Sequence, residues 1–216
     1  MIALMERHAV VSAYVEGGWD QVLATVTDLP LPEAIQGLNK LMIHFRWEEK
    51  DLTGVIRACE MAERFAGDSA DPEVLAGLKA VCFNRAAFCW RGWGDSDVTV
   101  SPEMERDAAR YAERNIELAR RLGKTGVPLG RAEWLVGAFD WASGDAETAA
   151  ERFDRAAELT AEGDDPLEVV MGRAYAAAAR GQDPADLLAQ LDAAENGSFY
   201  SGQVRSAMQV YGTSAD

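Results

Sequence analysis

The sequence predicts an all-α chain built as a solenoid of helix pairs. Three observations lead there. Apolar residues recur with a helical period along nearly the whole length, and Val, Ile and Thr do not form the alternating runs of half-buried strands. Gly, Asp and Pro interrupt this pattern at semi-regular distances. An aromatic pair, Phe-x-Trp, occurs at Phe45/Trp47, Phe88/Trp90 and Phe139/Trp141, at intervals of 43 and 51 residues, each time near the end of an Ala-rich apolar stretch.

The elements follow in order from that punctuation. Apolar stretches at 2–15 and 20–29 are parted by "EGG", and "LPLP" separates them from 33–47 and 51–66. "GDSADP" leads into 72–91, and the eleven-residue connection "GWGDSDVTVSP" into 103–122. "GKTGVP", "SGD", "AEGDDP" and "RGQDP" then set off 129–142, 146–161, 167–180 and 184–195, and 199–211 closes the chain. Each break is a helix stop followed by an Asp, Ser or Pro start. The eleven stretches group as pairs at 2–29, 33–66, 72–122, 128–161 and 166–195, all in one domain, with 199–211 as the solvent-tolerant cap that a terminal repeat needs. Phe and Trp two residues apart lie about 200° apart on a helix, so each pair points to different neighbours. Their six side chains are expected in the core. The connection over 92–102 is expected to be exposed and mobile, with Trp93 folding back as an anchor.

Residues 132–163 resemble the tetratricopeptide repeat family. Gly137 stands at that family's mid-helix glycine, Trp141 at a late aromatic site of the first helix, and Gly144-Asp145 at the turn. Ala149, Phe153 and Ala156 follow as its small-large-small triplet, spaced four and three so as to share one face. Val22, Val26 and Leu29 repeat the spacing after "GGWDQV", and Val55, Cys59 and Ala62 after Lys50-Asp51. The fifth pair keeps Gly172 and Tyr175, whereas Asp140 replaces the usual Tyr of the best unit. The resemblance implies a right-handed α-α superhelix whose first helices line a concave groove.

Composition narrows the function. A formal charge of −15 with no dense basic run argues against a nucleic-acid surface. No window approaches a membrane span of about 18 apolar residues. Glu6, Arg7 and His8 interrupt what would be the core of a signal peptide, and three cysteines without a CxxC fit a reducing, cytoplasmic setting. "GKT" at 123–125 is not a phosphate loop, because Leu118 occupies the place of the first glycine and a helix precedes it. His8, His44 and the cysteines lack the i, i+3 or i, i+4 spacing of metal ligands, and no Ser or Cys stands in a nucleophile elbow. No cofactor and no catalysis are expected.

The first helices carry nine basic against seven acidic residues, in contrast to the acidic chain as a whole. In the resembled family such helices would give a mildly positive groove on an acidic body, suited to steering a carboxylate inward. Some members hold a partner's C-terminal carboxylates with a Lys and an Asn one turn apart, then an Asn, then a Lys and an Arg one turn apart. Alignment on Trp47, Trp90 and Trp141 puts Lys40 at the first Lys, His44 in place of the first Asn, Asn84 at the second Asn and Arg131 at the second Lys. Leu135 replaces the Arg. The expected function is a non-enzymatic module that binds a protein or peptide, with an acidic segment or C-terminal carboxylate as the favoured ligand. A regulatory sensor of a peptide or small ligand, acting through a partner, is the alternative.

Overall fold

The computed structural model describes residues 8–163 and 165–212. Among these, every regular element is a helix: α1 (Ala9–Asp28), α2 (Leu31–His44), α3 (Leu52–Ala66), α4 (Pro72–Phe88), α5 (Pro102–Arg121), α6 (Gly126–Ser143), α7 (Ala146–Ala161), α8 (Pro166–Ala179), α9 (Ala185–Asp192) and α10 (Gly197–Tyr211). A π-turn, Phe45–Glu49, extends α2, and a 3-10 turn, Arg91–Trp93, follows α4.

The starts fall where short polar side chains can take an orphan N–H. Asp51, Ser101, Asp145 and Asp165 accept from the backbone of Thr53, Met104, Thr148 and Glu168. The expected first pair is one kinked element. Gly18 breaks it with φ 65° and ψ −153°, a conformation that only glycine adopts without strain. Residues 2–7 of that pair lie outside the described residues.

The chain forms two compact units that divide between Phe88 and Cys89. The division falls inside the expected third pair, 72–122, so α4 and α5 belong to different units. In the N-terminal unit α1 packs on α2, α2 on α3 and α4, and α3 on α4. Its core includes Val22, Ile35, Leu41, Phe45, Val55 and Cys59, all fully buried.

In the C-terminal unit α5, α6, α7 and α8 each pack on the next, and α9 packs on α8. Ala149, Phe153 and Ala156 are buried together as their spacing predicts. Gly137 lets α6 approach α7 closely, since a Cβ there would stand 3.2 Å from the Ala149 carbonyl oxygen. The expected cap, α10, packs on α8 and α9 but also returns to the 3-10 turn at 91–93. A purely nearest-neighbour array would not make that contact.

Two expectations are corrected here. Phe45, Trp90, Phe139 and Trp141 are buried and Phe88 is half-buried, but Trp47 is 53% exposed. The helix that should carry Trp47 inward ends at His44, and the wider π-turn rotates the following residues out of the α-helical phase. The connection over 92–102 is not uniformly exposed, because Gly92 and Val98 are buried. Trp93 does fold back, with ring centroids 5.0 Å from Trp90 and 5.7 Å from Trp134.

Candidate functional site

Three of the four groove residues expected from the sequence lie in the N-terminal unit. Lys40 is exposed on α2. It stands close enough to His8 to help burial lower that imidazole's pKa, with desolvation the larger cause and Glu33 opposing. His8 Nδ1 accepts from the Val10 N–H at 3.3 Å and caps α1, a role that requires the unprotonated nitrogen. Asn84, on α4, donates through Nδ2 to Asn39 Oδ1 at 2.8 Å and ties α4 to α2.

His44 ends α2, with Nε2 3.0 Å from Glu49 Oε1. Residues five apart face different sides of an α-helix, but the i, i+5 turn of a π-helix brings them together. The other Glu49 oxygen accepts from the Tyr14 hydroxyl at 3.4 Å. Burial, with Glu49 next, raises the pKa of that phenol. His44 and Asn84 therefore each have an internal partner.

Trp47 sits in the same π-turn. The Arg46 guanidinium carbon lies 4.4 Å from its ring centroid, Lys50 Nζ lies 5.6 Å away, and the Phe88 ring meets it edge-on at 6.2 Å. Lys50 closes the turn in the left-handed region, φ 56°, which for a residue other than Gly, Asn or Asp is strained. An exposed indole flanked by cations on a strained turn is the feature that sequence reasoning missed. Nothing in the pattern around "HFRWEEK" distinguishes a π-turn from a last α-turn.

Arg131 lies in the C-terminal unit, on α6. Its Nε contacts both oxygens of Glu168 on α8, at 2.8 and 3.0 Å, and Nη2 stands 3.9 Å from Asp165. The Glu168 hydrogen bonds are the main reason its pKa is raised, so the cation is permanent. The expected ligand-facing charge is thus already paired with a carboxylate of α8. Asp165 also borders a surface cleft of about 300 Å³, otherwise lined by Ala161, Pro166, Val169 and Val170. Nearby, buried Glu133 on α6 accepts from Arg120 of α5 at 2.8 Å and from Arg152 of α7 at 3.0 Å, fastening three helices together.

The C-terminal unit also holds a dense aromatic cluster. Trp90 packs against Trp93, Trp134, Tyr175 and Tyr211, and its Nε1 donates to the Ala138 carbonyl at 3.1 Å. Trp134 Nε1 and the Tyr175 hydroxyl are buried with no hydrogen-bond partner, each a cost of about 1–3 kcal/mol. Full burial also pushes the Tyr175 phenol well above its ordinary pKa. The Tyr211 hydroxyl instead donates to buried Glu105, which also accepts from the Arg91 backbone at 2.8 Å and from Arg91 Nε at 2.7 Å.

Among the described residues no three His, Cys, Asp or Glu side chains are gathered to hold a metal ion, and no helix is long and apolar enough to cross a membrane. Set against known proteins, the chain matches no family model, no curated sequence and no solved structure.

Proposed function

We propose that this chain is a non-enzymatic interaction module, a degenerate tetratricopeptide-like array with a right-handed superhelical course, that holds an acidic peptide segment or partner protein on its first helices. The observation that carries the reading is Trp47. A large indole left 53% exposed, packed against the buried Arg46 guanidinium and with the exposed Lys50 ammonium 5.6 Å from its ring centroid, has the composition of a binding hot spot: an aromatic anchor beside a surface cation that can engage a carboxylate. Lys40, exposed on α2 of the same unit, adds a cation. His44, paired with Glu49, and Asn84, paired with Asn39, stand in the same unit.

Titration with acidic C-terminal peptides and their C-terminal amides, at low and moderate salt, tests this. The free carboxylate should bind more tightly, and Trp47→Ala and Lys40→Ala should each weaken it without unfolding the protein. Equal binding of acid and amide, indifferent to both substitutions, rejects the reading. The cleft beside Asp165 favours a second one, a sensor of a small ligand. Its apolar walls and single carboxylate suit a compact group bearing a cation. A small molecule that copurifies and is lost on Asp165→Asn would select it.

A further inference from the structure

We propose that the Asn196-Gly197 peptide is a deamidation site gated by the first turn of α10, a modification of the chain by water that the fold holds back. Four asparagines occur in the sequence, and Asn196 alone precedes a glycine; Asn39, Asn84 and Asn115 are followed by Lys40, Arg85 and Ile116 and lie inside α2, α4 and α5. A side chain on the following residue hinders attack by its backbone nitrogen, and glycine has none. The connection between α9 and α10 requires this dipeptide. Asn196 stands in the left-handed region with φ 62°, which Asn tolerates better than most residues. At Gly197 an added Cβ would overlap the Leu191 carbonyl oxygen of α9, so only glycine fits. Asn196 is exposed to water, whereas Gly197 is buried.

The reaction is an exchange at one carbon. The Gly197 nitrogen attacks Cγ of the Asn196 carboxamide, the new N–C bond closes a cyclic imide, and the side-chain nitrogen leaves as ammonia with the proton lost from Gly197. Water then adds to either imide carbonyl and opens the ring to aspartate or to isoaspartate. In isoaspartate the main chain runs through the side-chain carbon and is one methylene longer. Water is the sole co-reactant.

The folded geometry opposes the first step. With ψ 3° at Asn196, the Gly197 nitrogen is rotated away from Cβ and out of line with Cγ. Its N–H donates to the Ala194 carbonyl at 3.0 Å, which ties up the proton that must leave. Its Cα is seated against the Leu191 carbonyl. Exposed Asp192 clips the turn, accepting from the Ser201 hydroxyl and, at 2.6 Å, from Arg205 Nη2. Attack therefore waits for the start of α10 to open locally, and its rate follows the open population. Isoaspartate, with its longer main chain, cannot restore both the Ala194 hydrogen bond and the Leu191 seat, so the site is a one-way record of such openings.

Incubation of the full-length protein at mildly alkaline pH, followed by proteolysis and mass spectrometry of the peptide that holds residue 196, tests this; a methyltransferase specific for isoaspartate reads that product separately. The denatured chain should convert Asn196 ahead of Asn39, Asn84 and Asn115, and the folded protein should convert it about tenfold more slowly or less. Asp192→Asn, with Arg205→Ala as the second variant should the first unfold, removes the clip and should speed the reaction of the folded protein roughly threefold or more, because that rate scales with the open population. Equal rates in the folded and denatured protein overturn the gate, as does a folded rate that neither variant changes. A denatured chain that keeps Asn196 intact while its other asparagines react overturns the site itself.

Discussion

Trp47 and Trp141 occupy equivalent places in a sequence motif and opposite places in the molecule. Trp141 is buried against Phe153, Tyr175 and Tyr211, so Trp141→Ala should lose about 3–5 kcal/mol through lost transfer energy and a cavity. Trp47 is exposed and held mainly by cations. Trp47→Ala should leave stability within about 1 kcal/mol while removing 2 kcal/mol or more of roughly that order from acidic-segment binding. Denaturant titration of both variants, beside a binding titration of the second, separates the roles. Tyr175 allows another contrast. Its hydroxyl is buried without a partner, so Tyr175→Phe should be neutral or stabilising by about 1 kcal/mol, where removal of a satisfied hydroxyl destabilises. A clear loss on denaturation would mean that the hydroxyl has a partner in solution.

Helix α10 depends on one exposed carboxylate at its entry. Asp192 is held down to about 2, first by the Arg205 hydrogen bond and then by Ser201. Its folded value lies below the unfolded one of about 3.9. The link therefore contributes fully above the unfolded value and is lost as pH falls through about 2. Tryptophan emission from the cluster against α10 should shift over that acid window in wild type and lack this component in Asp192→Asn. The cap of α1 responds in the same sense near neutrality. His8 titrates below its ordinary value when folded, so its contribution is present above about 6.5 and is lost as pH falls through the lower folded value. Hydrogen exchange of the first turn of α1 should accelerate over that range, and His8→Asn should be indifferent to it.

A chain of 216 residues with a formal charge of −15 repels itself. Raising the ionic strength from roughly 0.01 M to 0.15 M shortens the screening length from about 30 to about 8 Å. The melting temperature should therefore rise. Binding of a carboxylate-bearing segment to the cations around Trp47 should weaken over the same range, because attraction is screened as repulsion is. Calorimetry and peptide titration in one buffer series test the opposed signs; parallel responses would remove charge from the account of binding.

Helical period and short polar caps depend on residues within a few positions of one another, which is why the bounds of α3, α5 and α7 were legible along the chain to within a residue. The triplet Ala149, Phe153, Ala156 could be assigned to one buried face for the same reason. The π-turn at Phe45–Glu49 was not legible. It differs from an α-turn by one residue in hydrogen-bond register, and that choice brings His44 to Glu49 and turns Trp47 outward. The candidate site shows the same limit. Lys40, His44, Asn84 and Arg131 were singled out by alignment on the resembled family, which says nothing of the partners that three of them have on other turns or helices: Glu49 for His44, Asn39 for Asn84 and Glu168 for Arg131. The return of α10 to Trp90 joins Tyr211 to Glu105 across 106 positions. Local propensity carries no information at such separations; long-range packing alone selects which aromatic surface a final helix covers and which polar atoms it leaves without a partner.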